Sequence, residues 1–234
     1  MNRALLVIDV QASFRARRSW ELINHPDIAD RCDRLVNAAR AAGDLVVWVL
    51  HTEPGTGGVF DPASGQVRPL EPLQPADGEP VITKTSHNAF TTTNLQQLLT
   101  GAGVGEVVIS GIRTEQCCET TARVASDLGY QVTFVADATA TQPLAAPGLS
   151  LDRDFDRVVD DPRTLPAQTV VERTVYALAG RFATVTTLEE FVTQAGSRPS
   201  QAARSVSSSA TAADRSASNG SSAWISSTRS TPNS

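Results

Sequence analysis

The chain contains 234 residues, of which 41% are hydrophobic and 19% are charged, and its formal net charge is −5. These values are typical of one globular domain with a tail, and a mildly acidic chain without a basic patch argues against nucleic acid as a partner. Three cysteines, two of them adjacent, form neither a disulfide framework nor the paired spacing of a metal site. The start of the chain lacks the apolar core of a signal peptide, so we expect a cytoplasmic protein that needs no membrane.

Hydrophobic periodicity predicts alternating strands and helices within a domain of residues 1–195. Strands are predicted at residues 5–11, 45–50, 81–84, 106–110, 132–136 and 182–185. Helices are predicted at residues 27–42, 94–100, 115–129, 167–179 and 188–194. This alternation favours a three-layer α/β fold, with a doubly wound, mostly parallel sheet and helices on both faces.

Four segments interrupt the alternation. Residues 14–25 are predicted to form an irregular loop over the sheet edge, and residues 52–80, rich in glycine and proline, a long loop. Residues 141–166 are predicted to form either a lid or an oligomer contact. Residues 196–234 are rich in serine and poor in large apolar side chains. We expect this tail to be disordered, because it cannot bury enough surface to offset its ordering entropy.

Reactive or charged residues follow three of the predicted strands. Asp9 ends the first apolar run, Lys84 ends the third, and Cys117 comes shortly after the fourth. Parallel strands end at one edge of a sheet, where open α/β sheets bind ligands, so we expect the three side chains to converge. Lys84 is the only lysine in the chain. Either it serves a role that needs a compact ammonium rather than a guanidinium, or it is a surface lysine retained by chance.

Cys117 is predicted to lie in the first turn of a helix. There the unpaired amides and the helix dipole favour an anion, which predicts a thiol pKa below the ordinary value of about 8.5 and a reactive thiolate. The competing interpretation is that Cys117 is a small apolar residue packed behind the helix. A helix places Cys118 about 100° from Cys117, so only one of the two can face a given pocket.

Three motifs support the catalytic interpretation. They are Asp9-Val10-Gln11-Ala12-Ser13-Phe14, then Lys84 with Ser86, Ala89 and Phe90, then Gly111-Ile112-Arg113-Thr114 with Cys117 and Thr121-Ala122-Arg123. In their order and spacing they resemble the isochorismatase-like cysteine hydrolases, which include nicotinamidases and N-carbamoylsarcosine amidohydrolase. The resemblance covers residues 1–195 and implies the isochorismatase-like hydrolase fold with a catalytic triad of Asp9, Lys84 and Cys117.

The resemblance also implies finer features of the site. The Ile112–Arg113 peptide resembles the family's non-proline cis bond, and the backbone amides of Arg113 and Cys117 would form an oxyanion hole. The implied substrate-binding residues are Phe14, His51, Ile112 and Arg113.

Two positions depart from the family's pattern. Nicotinamidases have an Asp-x-His pair, part of a metal site, at the end of the second predicted strand. In this chain Val49 stands at the Asp position, so we expect no metal. We also expect no organic cofactor. His51 is instead predicted to be a hydrogen-bonding residue at the pocket edge. Arg113 stands where the family more often has a small residue. It either pairs with a substrate carboxylate or carbonyl, or turns away to pair with Glu115 or Glu119.

The sequence therefore predicts a hydrolase that cleaves a C–N bond of a small amide, ureido or carbamoyl substrate through a thioester on Cys117. Two other functions stay open. One is vinyl-ether cleavage of the isochorismatase kind, which in that branch proceeds without the cysteine. The other is a fold that has lost turnover and binds a small molecule or a protein. We expect a homo-oligomer, either a dimer or a tetramer.

Overall fold

A computed structural model describes residues 2–197 of the chain. Its strands are β1 (Asn2–Ile8), β2 (Leu45–His51), β3 (Val81–Lys84), β4 (Val104–Ile112), β5 (Gln131–Ala140) and β6 (Thr184–Thr186). Its helices are α1 (Ala12–Arg15), α2 (Ile28–Ala41), α3 (Leu95–Gly101), α4 (Glu119–Asp127), α5 (Phe155–Asp160), α6 (Ala167–Leu178) and α7 (Leu188–Ser197). Of the tail predicted to be disordered, only residues 196 and 197 lie within the described part, where they end α7. No helix in the described range is long and apolar enough to cross a bilayer.

The six strands form one sheet in the order β3-β2-β1-β4-β5-β6. Each neighbouring pair is parallel. From β1 the chain winds outward to β3 on one side, then returns to β4 on the other, so the direction of winding switches between β1 and β4. The predicted doubly wound α/β fold is confirmed, and ligands bind to such sheets at the switch point.

Helices cover both faces of this sheet, and β1 shows how the sequence achieves this. Leu5 and Val7 point into a core shared with α2 and α7. Ala4, Leu6 and Ile8 point to the opposite face, into a core shared with α3, α4 and α6. All five side chains are buried, which explains why the sequence of β1 is continuously apolar rather than alternating.

The structure corrects two of the predicted loops. The segment 14–25 contains the end of α1 and a 3-10 turn at Arg18–Leu22, and the segment 141–166 contains α5. Helices of one or two turns show too little of the helical period to be recognised from hydrophobicity. Strand β5 also runs to Ala140, four residues beyond the predicted end at 136, because its last residues pair with Gly111 and Ile112 after an irregularity in the ladder.

Candidate active site

Asp9, Lys84 and Cys117 lie together at the carboxyl edge of the sheet. Lys84 Nζ is 2.7 Å from Asp9 Oδ2 and 3.4 Å from Cys117 Sγ. It also donates to the backbone carbonyl oxygen of Ser86 at 3.2 Å. An ammonium has three hydrogens to donate, and here each has an acceptor. The ammonium is therefore fixed between the carboxylate and the sulfur.

The strand order explains why a lysine connects these groups. Asp9 follows β1 and Cys117 follows the neighbouring β4, but Lys84 ends β3, two strand positions from β1. Neighbouring strands lie about 4.8 Å apart, so a side chain on β3 must cross about 10 Å to reach the switch point. The four-carbon stem of lysine covers much of this distance and carries its charge at the end. The side chains of Lys84 and Asp9 are both 0% exposed.

Gly111 allows β1 and β4 to approach closely beneath the site. It is the register partner of Ile8 and has a φ of 129°. A Cβ atom at residue 111 would lie 1.9 Å from the backbone oxygen of Ile8, so a side chain cannot fit there without moving a strand. Asp9, which directly follows the last residue of β1, has a φ of 55°, a left-handed conformation that aspartate tolerates better than most residues.

Burial and charge act in opposite directions on the ion pair. Burial raises the pKa of the Asp9 carboxyl, and the Lys84 ammonium offsets only part of that change. Burial tends to lower the pKa of Lys84, but the Asp9 carboxylate and then Cys117 outweigh it, so the pKa is raised. Lys84 is thus a permanent cation, whereas Asp9 is a carboxyl group whose proton affinity is increased, as a proton shuttle requires.

The predicted lowering of the Cys117 pKa is wrong. Burial, followed by the negative charge of Asp9, raises the pKa of the thiol to about 12, and Lys84 offsets only part of the change. Cys117 is 6% exposed, so little water can solvate a thiolate there. Cys118 is fully buried, and burial raises the pKa of its thiol well above the ordinary value. In the resting site the proton therefore remains on the sulfur until a base removes it.

The turn that carries Cys117 differs from an ordinary α-helical turn. Thr114–Cys118 is a π-helical turn that leads into α4. The carbonyl oxygen of Arg113 accepts hydrogen bonds from the amides of Gln116 at 3.2 Å and Cys118 at 3.1 Å, and not from the amide of Cys117 between them. The predicted oxyanion hole, made of the Arg113 and Cys117 amides, lies at this turn and remains a prediction.

Other motif residues support the same turn. The Thr121 hydroxyl donates to the carbonyl oxygen of Cys117 at 2.6 Å and accepts from the Ala89 amide at 3.1 Å, which connects α4 to the loop after Lys84. The Ile112–Arg113 peptide bond is cis. Ile112 itself is 1% exposed and packs in the core cluster that also contains Phe14.

Phe14, His51 and Phe60 form an aromatic wall beside the site. The Phe60 ring contacts Phe14 and His51 edge-on, at centroid distances of 5.0 Å and 5.5 Å. His51 is the register partner of Lys84 on the neighbouring strand. Phe14 and His51 are predicted substrate-binding residues. Phe60 is absent from that prediction because it lies in the aperiodic loop 52–80, where no local signal distinguishes it.

Arg113 is held by partners within the protein. Its Nη2 donates to Oε1 of Gln142 at 2.8 Å, and its Nη1 lies 3.8 Å from Oε1 of Glu115. Ser19 in turn accepts a hydrogen bond from Gln142 at 3.1 Å. Glu119 bonds other arginines, so Glu115 is the acidic partner of the two that the sequence leaves open. Burial lowers the pKa of Arg113, and Glu115 offsets part of this change.

Two chain segments, which together we call the clasp, meet across the aromatic wall. They are residues 14–25 and residues 141–166. Arg17 pairs with both carboxylate oxygens of Asp152, and its Cζ atom lies 5.9 Å from the centroid of the Phe60 ring. Arg18 pairs with Asp156 at 2.8 Å. The sequence alone does not reveal these pairs, which join the predicted edge loop to the segment predicted to be either a lid or an oligomer contact.

A family model described as the isochorismatase domain matches residues 3–160, a span that contains Asp9, Lys84 and Cys117. The chain belongs to the isochorismatase family. Streptothricin hydrolase from Streptomyces noursei is 41% identical to it over 150 residues, which are 63% of this chain and 58% of that protein. The match therefore spans little more than half of that relative.

Two further relatives in the isochorismatase family widen the comparison. The uncharacterized family protein YddQ from Bacillus subtilis is 33% identical over 193 residues, which cover 82% of this chain and 99% of YddQ. Nicotinamidase 3 from Arabidopsis thaliana is 34% identical over 151 residues, which cover 59% of this chain and 73% of that protein.

Solved structures show the same fold. An isochorismatase from Pseudomonas putida has a TM-score of 0.69 at 29% identity, covering 81% of this chain and 89% of its own. A cysteine hydrolase from Pseudomonas syringae has a TM-score of 0.72 at 23% identity, covering 85% of this chain and 94% of its own. At that identity the second comparison concerns the fold alone.

Residues 49–51, where nicotinamidases have the Asp-x-His pair of a metal site, have other surroundings in this chain. Val49 is 0% exposed in β2, within the core. The ring of His51 has Glu53 as its acidic neighbour, with Nε2 3.3 Å from Oε1. Within residues 2–197 no group of three His, Cys, Asp or Glu side chains is arranged to hold a metal ion. That the protein works without a metal or an organic cofactor remains a prediction.

Proposed function

We propose that this member of the isochorismatase family is a cysteine-dependent hydrolase that cleaves a C–N bond of a small amide, ureido or carbamoyl substrate. The observation that carries the proposal is the position of Lys84 Nζ, 2.7 Å from Asp9 Oδ2 and 3.4 Å from Cys117 Sγ. A nucleophile, a base and a fixed cation within contact distance are the parts that nucleophilic acyl transfer requires.

The protonation states support the first step. The Cys117 thiol holds its proton at rest, and the neighbouring Asp9 carboxyl has a raised proton affinity. As the sulfur attacks the substrate carbonyl carbon, the thiol proton moves to Asp9. The Lys84 ammonium stabilises the negative charge on the sulfur while that proton moves. Nucleophile and base are thus activated together, without a resting thiolate.

The later steps use the same groups. The carbonyl oxygen gains negative charge in the tetrahedral intermediate, and the amides of Arg113 and Cys117 donate to it. Asp9 then gives its proton to the departing nitrogen, the C–N bond breaks, and a thioester remains on Cys117. A water molecule loses a proton to Asp9 and attacks the thioester. When the C–S bond breaks, the sulfur regains that proton, and the acid leaves.

The names of the relatives and the shape of the site support a small substrate. The relatives include a streptothricin hydrolase and a nicotinamidase, whose names point to amide-type chemistry. In this chain, Phe60 contacts both Phe14 and His51 edge-on, and His51 is the register partner of Lys84, so an aromatic cluster lies near the triad and suits a compact, flat acyl group. We therefore place small cyclic or aromatic amides ahead of long flexible ones.

An ammonia-release screen tests the proposal directly. We expect turnover of at least one compound in a panel of small primary amides, ureas, lactams and N-carbamoyl compounds. Acid-quenched enzyme should then carry the acyl group on Cys117 in peptide mass spectrometry. Cys117→Ala should abolish turnover, while Cys118→Ala, the matched control, should remain active.

Three results would overturn the proposal. If Cys117→Ala retains full turnover, the nucleophile is not this cysteine. Vinyl-ether cleavage of isochorismate by both the wild type and Cys117→Ala would instead assign the cysteine-independent isochorismatase reaction. Tight binding of panel compounds without turnover would assign a binding role.

A further inference from the structure

The backbone of His51 is held unusually firmly. The side-chain amide of Gln11 accepts a hydrogen bond from the His51 amide at 2.8 Å and donates one to the His51 carbonyl oxygen at 2.9 Å. Gln11 is fully buried and also donates to the Ser13 hydroxyl at 2.9 Å. His51 is the register partner of Lys84 on the neighbouring strand. Its main chain is thus fixed beside the triad.

The ring of His51 is fixed as well. The ring contacts Phe60 edge-on, with 5.5 Å between the two ring centroids, and this contact limits its rotation. Its Nε2 lies 3.3 Å from the Glu53 carboxylate. A carboxylate can only accept a hydrogen bond, so this contact requires a proton on Nε2. When that is the only proton on the ring, Nδ1 is an acceptor.

This acceptor has no partner in the described part of the protein. Nδ1 of His51 is buried and makes no hydrogen bond. A buried polar atom without a partner costs stability, and such atoms in native proteins call for an explanation. His51 lies beside Lys84 in the sheet, and Lys84 contacts Asp9, the group that delivers a proton to the leaving nitrogen in the proposed reaction.

We propose that His51 Nδ1 accepts a hydrogen bond from an N–H of the substrate, and so makes the site selective for amides and ureas over esters. The inference rests on the proposed function, because it concerns the substrate of the same site. An amide or ureido nitrogen carries a donor that an ester oxygen lacks. An ester would leave Nδ1 without a hydrogen-bond donor, whereas an amide supplies one.

The test compares benzamide with methyl benzoate, which share an acyl group and differ in the N–H donor. In His51→Phe, which keeps a flat ring and removes Nδ1, kcat/KM for benzamide should fall by at least about tenfold, as expected for one lost hydrogen bond of about 1.5 kcal/mol. The value for methyl benzoate should change less than about threefold. His51→Asn, whose Oδ1 can take the place of Nδ1, should recover part of the benzamide rate.

The matched control is His25→Phe, because His25 is also partly buried, but its Nδ1 lies 4.0 Å from Oδ1 of Asp27. It should leave the amide-to-ester ratio unchanged. Equal losses for both substrates in His51→Phe, or no loss for either, would overturn the proposal. A loss larger for the ester would also overturn it, since Nδ1 would then serve the carbonyl group as a donor.

A binding measurement separates this inference from the proposed function. In the Cys117→Ala background, calorimetry should show that His51→Phe weakens binding of benzamide by about tenfold. Binding of acetophenone, which has the ring and carbonyl but no N–H, should be unchanged. If the wild type hydrolyses no compound of the amide panel, the proposed function fails, and the binding comparison still decides the role of Nδ1. Equal weakening of both ligands would overturn it.

Discussion

Replacing Lys84 by methionine tests the energetics of the buried ion pair. Lys84→Met removes the ammonium but keeps an unbranched side chain, so Asp9 is left as a buried carboxylate without a counterion. Breaking a buried pair in this way typically destabilises a protein by about 3–5 kcal/mol. The side chains of both partners are 0% exposed, so solvent cannot replace the lost interaction.

The destabilisation has an upper limit, because Asp9 can take up a proton instead of remaining charged. Starting from its ordinary pKa of 3.8, neutralising the carboxyl costs about 1.36 kcal/mol per pH unit. The limit is therefore about 5 kcal/mol at pH 7.5 and about 1.6 kcal/mol at pH 5. When folding raises the pKa of a carboxyl group, the free energy of unfolding falls as the pH rises. The destabilisation caused by Lys84→Met should therefore be large at pH 7.5 and small at pH 5.

Urea unfolding at the two pH values measures this difference. With a slope of about 2 kcal/mol per molar urea, the midpoint of Lys84→Met should fall by about 1.5–2.5 M at pH 7.5 and by less than about 0.8 M at pH 5. Asp9→Asn/Lys84→Met should be more stable than Lys84→Met alone at pH 7.5, because no buried charge remains. Arg157→Met, which removes a charge that is 73% exposed, serves as the control and should change little. A small, pH-independent defect that adds to that of Asp9→Asn would refute the reasoning.

Three further predictions concern the site and the clasp. Iodoacetamide should label Cys117 before the fully buried Cys118, and the rate should rise continuously from pH 6 to pH 10, because the pKa of the Cys117 thiol is raised to about 12; a rate that levels off near neutral pH would indicate a resting thiolate. Arg113→Ala should lower the melting temperature and reduce kcat/KM equally for acidic and neutral substrates, since its guanidinium has protein partners; a KM increase confined to acidic substrates would assign it to substrate binding. Asp152→Asn, which weakens the ion pair with Arg17, should increase the alkylation rate of Cys117 and leave the melting temperature nearly unchanged. An unchanged alkylation rate would show that the clasp does not limit access to Cys117.

The sequence by itself determined the fold class and the three groups at its centre. Apolar runs that each end on a polar residue identify strands of a parallel sheet, and the chain direction then brings the ends of all strands to one edge. Asp9 and Lys84 follow from this rule without knowledge of the packing. The end of the fourth strand did not follow in this way: the sequence predicts it at residue 110, before Gly111, but β4 continues through Gly111 to Ile112.

The protonation state of Cys117 could only be decided by the tertiary structure. Its place in the first turn of a helix is a local property, and that property favours a thiolate. Its burial and its nearness to Asp9 come from other parts of the chain, and these raise the pKa. Desolvation is the larger effect, because a charge removed from water loses more than the dipole of one helical turn returns.

The surroundings of the triad were likewise decided by tertiary structure. Phe60 and Gln142 lie in segments without hydrophobic periodicity, so nothing near them in the sequence marks them as neighbours of His51 or Arg113. The bond between Arg17 and Asp152 joins residues 135 positions apart. Periodicity records only which side of an element faces the core, whereas loop contacts depend on where the packed helices and strands place the ends of each loop.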